Sequence, residues 1–534
     1  MKYFNITFEP DGERISIHEG ATLLEAAGQA GIILNTVCGG KGICKKCLVN
    51  IQPQGRQVQA CQYHIQSDIT VTIPHTSRFF EQKILTSGID TQTEIQPDIY
   101  KKYLRLAADG KILGVAVDIG TTTVVAKLID MTTGQCTATC ADLNPQARFG
   151  DDVVSRIAYA ETETKLAELH KIIIDCVNRL IARLCEQTSV EQKDIYEMCV
   201  VGNTAMGHIF LKQPIKQLGQ APYSAYSLDA KDVPAKEAAL DINPAGNIHT
   251  VENIAGFVGA DTTAVALAVD IDSAGETTLV VDIGTNGELV FAAADKLYAA
   301  SCAAGPAFEG ARISCGSRAV EGAIEAVVMG EDDIVLDVMG DCPARSICGS
   351  GLIDAVAVLL ELNIIESSGR FANPGTLKGN LPPAIFSRIA EQGGQPAFVL
   401  ATSEESGGQR VVLTQQDIRQ VQLAKGAIRA GTKLLQKKVG LGDSDIKQIF
   451  LAGAFGNYIR KESALRIGLL PDVPAERIHF VGNAAASGAQ MLLTNSRLRE
   501  LARDLARRIE YVEIAHEKEF SDVFVESMKF ETGM

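Results

Sequence analysis

The sequence predicts an α/β protein in which a small N-terminal unit precedes a large domain built from two similar halves. Four cysteines and several glycines are concentrated in one short stretch, at 38–61. The motif Val-Asp-Ile-Gly-Thr occurs at 117–121 and again 164 residues later at 281–285, each time after an apolar run. With 48 glycines and no tryptophan, the chain is typical of a protein rich in tight turns rather than a disordered or fibrous one.

Composition and charge limit the class of protein. At 534 residues the chain is long enough for about three or four domains. A formal net charge of -15 argues against a nucleic-acid surface. No stretch has the roughly 18 uncharged apolar residues that a membrane span needs, and the first residues form no signal peptide, so we expect a cytoplasmic protein without membrane contact. Of the 13 cysteines, nine follow Cys61 without a Cys-x-x-Cys pair, which indicates reduced, buried thiols.

Residues 1–75 are expected to form the small unit. Alternating apolar residues on both sides of Pro10-Asp11-Gly12 predict a β-hairpin. Thr22 with Glu25 three residues later predicts a capping box and a helix that ends near Gly31. Two later strands are expected, at 48–51 and 69–73. Hairpin, helix, cysteine loop and late strands together resemble the β-grasp fold of [2Fe-2S] ferredoxins.

The clustered cysteines are candidate ligands of an iron-sulfur cluster. Three lie in one loop and the fourth follows from a later segment, as in plant-type ferredoxins with a [2Fe-2S] cluster. Five residues separate the first two, where the plant pattern has four. A zinc site and a set of unrelated buried thiols are the other interpretations, although zinc prefers paired Cys-x2-Cys knuckles. The predicted metal ligands are Cys38, Cys44, Cys47 and Cys61.

A first candidate phosphate site follows the apolar strand at 115–119. The turn is not a P-loop, because it lacks the Gly-Lys-Ser/Thr sequence and the helix of that motif. Its backbone N-H groups and hydroxyls can still bind phosphates, and its aspartate can hold Mg2+. An ordinary hairpin turn is the alternative. The candidates are Asp118 for catalysis and Gly120, Thr121, Thr122 and Thr123 for the nucleotide.

The same arrangement recurs in the second half of the chain. Two copies of one strand-turn-strand unit at a domain-sized separation predict a duplicated fold. Facing halves would direct both turns at one nucleotide. The second set of candidates is Asp282 for catalysis and Gly284, Thr285, Asn286 and Gly287 for the nucleotide.

A third glycine turn, made of Gly453, Ala454, Phe455 and Gly456, follows a long helix that begins near Thr414. Over 114–495 the order of strands and turns resembles the actin, sugar kinase and Hsp70 ATPase superfamily. In that superfamily the first turn holds the outer phosphates, the second takes part in phosphate and metal binding, and the third lies against the adenosine. The resemblance therefore implies ATP and Mg2+ as ligands of the three turns.

Further glycine turns and one acidic residue are weaker candidates. One turn ends a strand-like run and another begins a helix, whose free N-H groups favour an anion. Glu309 is a candidate for positioning metal or water. The alternative is that these glycines only turn the chain. The cofactor-binding candidates of this group are Gly202, Asn203, Thr204, Gly349, Ser350 and Gly351.

The predicted domains are a ferredoxin-like domain at 1–75, a linker at 76–110 where periodicity fades, and an actin/Hsp70-like ATPase domain of two similar halves at 111–534. With two further stretches, at 144–153 and 423–429, this combination is similar to the reductive activators of corrinoid proteins. The resemblance implies ATP-dependent transfer of one electron from the [2Fe-2S] cluster to Co(II) of a corrinoid protein, giving Co(I). The region between cluster unit and ATPase is short, so the extra middle domain that some members carry there is expected to be missing.

The implied partners are a corrinoid protein of a methyltransferase system and a low-potential electron donor such as a ferredoxin or flavodoxin. A homodimer is one assembly that the sequence leaves open. Two other functions also stay open. An activator of another low-potential metalloenzyme, such as a 2-hydroxyacyl-CoA dehydratase, shares the ATPase fold but carries a [4Fe-4S] cluster between subunits. A non-catalytic sensor of redox and nucleotide state needs no ATP turnover.

Overall fold

The structure is a computed structural model that describes residues 2–9, 12–30, 32, 34, 42, 47–53, 55–74, 77, 89, 94–107, 111–273, 275–340, 342–453 and 459–531. The chain divides into two compact units, one formed by 1–83 with 145–159 and the other by 84–144 with 160–534. Within the described ranges, no helix has the length and apolarity that crossing a membrane requires.

The first unit contains one five-stranded sheet, formed by β1 (Tyr3–Glu9), β2 (Glu13–His18), β3 (Leu48–Gln52), β4 (Arg56–Gln59) and β5 (Ile69–Thr72). The strand order is β2-β1-β5-β3-β4, and the β1-β5 pair is parallel while the other pairs are antiparallel. The inward side chains of Ile6, Phe8, Val49 and Val71 are fully buried. The predicted β-grasp fold is confirmed, and β4 is a strand that the sequence did not predict.

The first unit also contains two helices, α1 (Leu23–Gln29) and α3 (Val153–Tyr159). The helix between them in sequence, α2 (Pro97–Lys101), belongs to the second unit. The predicted capping box of α1 is present, since Thr22 and Glu25 each accept a backbone N-H from the other. Residues 145–159 group with the first unit although they lie inside the predicted ATPase stretch. Arg156, fully buried there, donates to the Gly150 carbonyl (3.0 Å).

Residues 94–107, inside the predicted linker, are folded against the second unit. Ile99 and Tyr103 of this segment are buried. The Tyr103 hydroxyl donates to the fully buried Glu197 (2.5 Å), which Lys102 and Arg499 also approach at 3.1 and 3.0 Å. The described part of the predicted linker is therefore a docked segment, because its apolar side chains and a buried ion pair attach it.

The first half of the second unit is built on a six-stranded sheet, formed by β6 (Leu113–Ile119), β7 (Thr123–Asp130), β8 (Cys136–Leu143), β9 (Ile195–Gly202), β10 (Lys231–Pro234) and β11 (Asn247–Thr250). The strand order is β10-β11-β9-β6-β7-β8, with β6, β9 and β11 parallel to one another. Its helices are α4 (Glu163–Thr188), α5 (Thr204–Phe210) and α6 (Ala260–Ala268).

The second half repeats this plan and adds two three-stranded sheets. Its strands are β12 (Thr278–Ile283), β13 (Gly287–Ala293), β14 (Lys296–Cys302), β15 (Ala323–Met329), β16 (Ile334–Val338), β17 (Ser346–Ile347), β18 (Ile389–Gln392), β19 (Gln395–Ala401), β20 (Val411–Thr414), β21 (Gln448–Ala452), β22 (Ile478–Gly482) and β23 (Ile509–Tyr511). The large sheet has the order β22-β21-β12-β13-β14-β23, and the small ones β16-β15-β17 and β18-β19-β20.

The helices of the second half are α7 (Gly349–Glu361), α8 (Pro374–Leu377), α9 (Pro383–Ser387), α10 (Gln415–Val439), α11 (Lys461–Arg466), α12 (Ala484–Thr494), α13 (Ser496–Arg508) and α14 (Phe520–Met528). The predicted long helix is α10, capped by Thr414, and its residues Ile418, Val421 and Ile428 are buried. Its start agrees with the sequence prediction to within one residue.

The duplicated fold is confirmed by the matching arrangement of strands in the two six-stranded sheets, and a close helix crossing shows where the two halves meet. In each sheet an antiparallel hairpin, β6-β7 or β12-β13, is followed by a third antiparallel strand on one side and parallel strands on the other. Helices α6 and α12 cross where a Cβ on Gly488 would lie 2.2 Å from the Ala264 carbonyl oxygen. Only glycine fits that crossing, so the two halves meet backbone to backbone.

Candidate functional site

Two of the four predicted cluster cysteines lie in the described part of the chain. Cys47 and Cys61 are buried, and their sulfurs are 3.4 Å apart. A disulfide would need about 2 Å, whereas one metal with bonds of about 2.3 Å to each sulfur can join thiols at this separation. The Gln62 amide points at the Cys61 sulfur (3.7 Å), a contact of the type that tunes cluster potentials. Cys38 and Cys44 lie outside the described residues.

The first candidate phosphate turn joins β6 to β7. The Gly120 N-H donates to the Thr123 carbonyl (2.9 Å), and a Cβ on Gly120 would lie 2.7 Å from that oxygen, so glycine is required for the turn. Asn144, directly after β8, reaches the turn twice. Its N-H donates to the Thr122 carbonyl and its side-chain amide to the Gly120 carbonyl, both at 2.8 Å. The turn is therefore fixed by the neighbouring strand end.

The second turn joins β12 to β13 and faces the first. The Gly284 N-H donates to the Asn286 carbonyl (2.9 Å), which closes the turn. The hydroxyls of Thr122 and Thr285 are 3.4 Å apart. Two turns separated by more than 160 residues of sequence thus meet at a pair of hydroxyl groups, as the duplication predicted.

Glu309 joins the two turns. It ends the 3-10 helix Pro306–Glu309, and the Thr122 hydroxyl donates to one of its carboxylate oxygens (3.1 Å). The Thr285 hydroxyl donates to the other oxygen. The hydroxyls of Thr122 and Thr285 are therefore both hydrogen-bonded to one carboxylate. The sequence placed Glu309 only as a weak candidate, and the structure places it at the point where the halves meet.

Two asparagines hold the first turn from helix N-termini. Asn203 caps α5 by accepting the Met206 N-H (3.0 Å), and its amide donates to the Thr121 hydroxyl (3.0 Å). Asn483 caps α12 by accepting the Ala486 N-H (2.9 Å), and its amide donates to Asp118 (3.1 Å). Since each side-chain oxygen already accepts a backbone N-H, the amide nitrogen must face the turn.

Besides Glu309, four carboxyl groups lie around the turns. Burial raises the pKa of Asp118 to about 7, and Asp261 at the start of α6 adds to the rise. Burial and Asp261 likewise raise the pKa of Asp282 to about 7. Glu288 lies opposite Asp282 in the β12-β13 ladder. Its burial, together with the nearby charges of Asp261 and Asp282, raises the pKa of Glu288 well above its usual range. Like charges this close favour protonation or a bound cation.

These carboxylates do not form a complete metal cage. Among the described residues, no three His, Cys, Asp or Glu side chains come together as a metal site. Mg2+ in nucleotide sites is usually held by one or two carboxylates with phosphate oxygens and water, so the donor set fits a metal that arrives with the nucleotide.

The remaining candidates differ in how far the structure brings them to these turns. Gly453 directly follows β21, and a Cβ there would lie 2.6 Å from an Asp282 oxygen. Ala454, Phe455 and Gly456 lie outside the described residues. Gly202 and Thr204 flank Asn203 and are buried.

The turn 349–351 packs on another element. Ser350 donates to the Glu325 carbonyl (2.7 Å), and a Cβ on Gly351 would lie 2.3 Å from the Ile324 carbonyl oxygen. These contacts attach α7 to β15. A role in nucleotide binding for Gly349, Ser350 and Gly351 stays a prediction.

The sequence analysis missed three residues of the site. Asn483 could have been found from a short repeat, because Val-Gly-Asn occurs at 201–203 and again at 481–483, each time before a helix. Asp261 and Glu288 carry no local signal, since only the fold brings them to the first turn and to Asp282. Asn144 was noted within the stretch 144–153 but without a partner.

Comparisons with known proteins agree with this architecture. Residues 4–75 match a 2Fe-2S iron-sulfur cluster binding domain, 113–274 the RACo middle region, and 276–534 the C-terminal domain of RACo, the ASKHA domain. The corrinoid activation enzyme RamQ of Eubacterium limosum is 32% identical over 97% of this chain and 98% of its own. This chain belongs to the RACo family of reductive activators of corrinoid proteins.

Two further relatives are similar along most of the chain. A solved structure of a reductive activator for corrinoid, iron-sulfur protein has 31% identity and a TM-score of 0.71, covering 99% of this chain and 98% of that one. The [Co(II) methylated amine-specific corrinoid protein] reductase of Methanosarcina barkeri is 25% identical over 78% of this chain and 77% of its own.

The expectation of a missing middle domain is wrong. The RACo middle region matches 113–274, which is the first half of the duplicated ATPase fold. A short stretch between cluster unit and ATPase was misread as a lost domain, because the sequence analysis counted that half within the ATPase.

Proposed function

We propose that this protein couples ATP hydrolysis to the one-electron reduction of a corrinoid protein, from Co(II) to Co(I). The observation that carries the proposal is the similarity of the chain, over 97% of its length, to a corrinoid activation enzyme, together with a cluster unit and a two-turn cleft in one chain. One electron leaves a low-potential donor, passes through the cluster unit and reduces cobalt. ATP and water become ADP and phosphate.

The cluster unit has a defined task. The buried thiols of Cys47 and Cys61, with Cys38 and Cys44 from the same loop, would hold the metal. A [2Fe-2S] cluster of this type supplies one-electron transfer at about -400 mV. Each ~59 mV uphill costs about 1.4 kcal/mol for one electron. Reducing a still more reducing acceptor therefore requires a second source of free energy, which explains an ATPase in the same chain.

The two turns would bind the phosphates of Mg-ATP. The hydroxyls of Thr122 and Thr285 lie 3.4 Å apart, so each turn would offer one hydroxyl donor to the phosphates. Asp118 and Asp282 would hold Mg2+ directly or through water. With the metal present, the raised pKa values of these carboxyl groups would fall, since a nearby cation favours the charged form.

Glu309 would exchange partners when ATP binds. In the described arrangement it accepts from both Thr122 and Thr285. Phosphate oxygens need the same two hydroxyls, so binding displaces the carboxylate. A freed carboxylate next to the outer phosphate can orient the attacking water. This exchange gives the two halves different arrangements with and without nucleotide, which a coupling mechanism requires.

The proposal names partners of stated chemistry. The acceptor is a corrinoid protein of a methyltransferase system, and the donor is a small low-potential carrier such as a ferredoxin or flavodoxin. The net charge of -15 and the absence of a membrane-spanning helix in the described ranges are compatible with reaction in the cytoplasm. A homodimer is the assembly to be examined first.

The test is an anaerobic assay with a low-potential reductant, Mg-ATP and a corrinoid protein trapped as Co(II). The protein should give Co(I), seen by absorption, and the reaction should stop or slow greatly without ATP. Cys47→Ser should fail because no relay remains. Equal Co(I) formation without ATP would contradict the proposal. A [4Fe-4S] spectrum in place of a [2Fe-2S] spectrum would favour the other activator class, whose cluster, shared by two subunits, also amounts to two irons per chain.

A further inference from the structure

A small aromatic pocket in the second unit has no role in the reaction as proposed. It has a volume of about 300 Å3, and three rings and one carboxylate define its chemistry. These are Tyr223, Phe257, Tyr511 and Glu513. The rings of Tyr223 and Phe257 are 5.6 Å apart at an angle of 54°. Such a volume is at the small end of ligand pockets, large enough for a side chain and too small for a nucleotide or a corrin ring.

The walls of the pocket are closely packed. Tyr223 has φ of 60°, a left-handed conformation that a bulky residue rarely adopts. A Cβ on Gly256 would lie 1.8 Å from the Tyr223 carbonyl oxygen, so only glycine permits this packing. The loop that carries Phe257 is closed by two N-H groups that donate to the Val258 carbonyl, at 3.0 and 2.8 Å. Strained backbone of this kind is found most often at functional sites.

The charge of the pocket selects its occupant. Glu513 is the one charged residue among the described lining residues, and its hydrogen-bond partner there is the Tyr511 hydroxyl (2.9 Å). A carboxylate among aromatic faces is the environment that a guanidinium prefers, because it stacks on rings and pairs with the carboxylate. The lining residue Leu228 is 43% exposed, and Tyr226, next in sequence to the lining residue Ala225, is 60% exposed, which suits contact with another protein.

The pocket is also connected to the nucleotide site. The Thr204 hydroxyl donates to the Ala255 carbonyl (2.7 Å) in the pocket wall. Thr204 follows Asn203, whose amide holds Thr121 of the first turn. An occupant that moves this wall therefore acts on a residue next to the phosphates.

We propose that this pocket, lined by Tyr223, Phe257, Tyr511 and Glu513, receives an arginine side chain of the corrinoid protein and anchors that partner on the second unit. The inference rests on the proposed function, because it takes the corrinoid protein as partner. The net charge of -15 favours a partner surface with basic residues.

The test compares Glu513→Gln, which keeps the shape of the pocket, with Glu517→Gln, an exposed residue of the same segment that does not line it. The dissociation constant for the Co(II) corrinoid protein is measured anaerobically at two salt concentrations. Glu513→Gln should weaken binding about tenfold, or about 1.4 kcal/mol, and reduce its salt dependence, while Glu517→Gln stays within about twofold. Phe257→Leu should weaken binding several-fold. Partner-free ATP hydrolysis and iron content should be unchanged in all three.

Methylguanidinium provides a separate readout. It should compete with the corrinoid protein for the wild-type protein at millimolar concentration, and much less for Glu513→Gln. Equal affinity of Glu513→Gln and wild type overturns the inference, as does an equal loss in both glutamate variants. Wild type that binds no corrinoid protein overturns it too. Wild type that binds but yields no Co(I) contradicts the proposed function alone, and the Glu513 comparison still decides the pocket.

Discussion

The two candidate phosphate turns carry the same five residues, Val-Asp-Ile-Gly-Thr, yet their surroundings differ. Three asparagines hold the first turn: Asn144 at Gly120, Asn203 at Thr121 and Asn483 at Asp118. In the second turn, Asp282 has no side-chain hydrogen bond within the described part of the chain, and it faces Glu288 across the ladder. The first turn is preset by its neighbours, whereas the second keeps its carboxylate free for an arriving ligand.

We expect this difference to give the two halves different parts in the proposed reaction. A turn held at three points places phosphates without reorganising, which is what preorganised donors contribute. A free carboxylate next to another acidic group is relieved only by a proton or a cation. We therefore expect the carboxylate of the second turn to respond to the binding of Mg-ATP, whereas the first turn fixes the position of the nucleotide.

The largest effect is expected for Asp282→Asn. Loss of this carboxylate should lower the rate of ATP hydrolysis by about 100-fold or more, the size typical for removing one electrostatic group at a reacting phosphate or carbonyl. Phosphate release measures the rate, and iron content and the cluster spectrum should stay those of wild type. Asp118→Asn should lose activity as well. Full activity in both variants would mean that the hairpins are only turns.

A smaller, split effect is expected for Glu309→Gln. The variant removes a negative charge that competes with phosphates for Thr122 and Thr285. A non-hydrolysable ATP analogue should therefore bind equally well or more tightly, while the turnover number falls about tenfold. Binding is measured by calorimetry and turnover by phosphate release. A parallel loss of both quantities would assign Glu309 to binding rather than to the exchange proposed for it.

Much of this arrangement follows from sequence, and the remainder depends on the fold. The turns at 118–123 and 282–287, the capping box of α1 and the start of α10 are local, so their residue types and spacing predict them. Asn483 reaches Asp118 from 365 residues away, and no local pattern encodes that distance. The docked segment 94–107 was assigned to a linker because its few apolar residues show no periodicity, although a buried ion pair and Tyr103 attach it.

A third comparison concerns Asn483, which holds the first turn and caps α12. Asn483→Asp keeps the capping oxygen but places a second carboxylate beside Asp118, so it should raise KM for ATP about tenfold or more with little change in melting temperature. Asn483→Ala should lose the cap as well, worth about 1 kcal/mol. Differential scanning fluorimetry and steady-state kinetics separate the two effects. If Asn483→Asp has normal kinetics, the amide contact with Asp118 does not position the carboxylate.

The last comparison, for which we expect the smallest effect, concerns how charged side chains are buried in the two halves. In the first half, Glu197 is buried with two cations and a tyrosine. In the second half, Lys425 of α10 is buried beneath 529–531, where it donates to the Lys529 carbonyl. Burial lowers the pKa of Lys425 to about 7, although the negative charge of Glu531 acts to raise it. A lysine that prefers to be neutral when folded makes the stability of the second half depend on pH.

The direction in which pH changes the stability follows from the number of protons that the folded and unfolded chains bind. Between pH 7 and about 10 the unfolded chain holds a proton on Lys425 that the folded chain has lost, so the free energy of unfolding rises with pH in this window. Lys425→Met removes this term. Its melting temperature should exceed that of wild type at pH 6.5, and the difference should shrink by about 2 °C or more per pH unit up to pH 9. Lys433→Met, on the same helix and 29% exposed, should show a difference that does not change with pH. A constant offset for Lys425→Met would mean that Lys425 stays charged when buried, with Glu531 as its counter-ion.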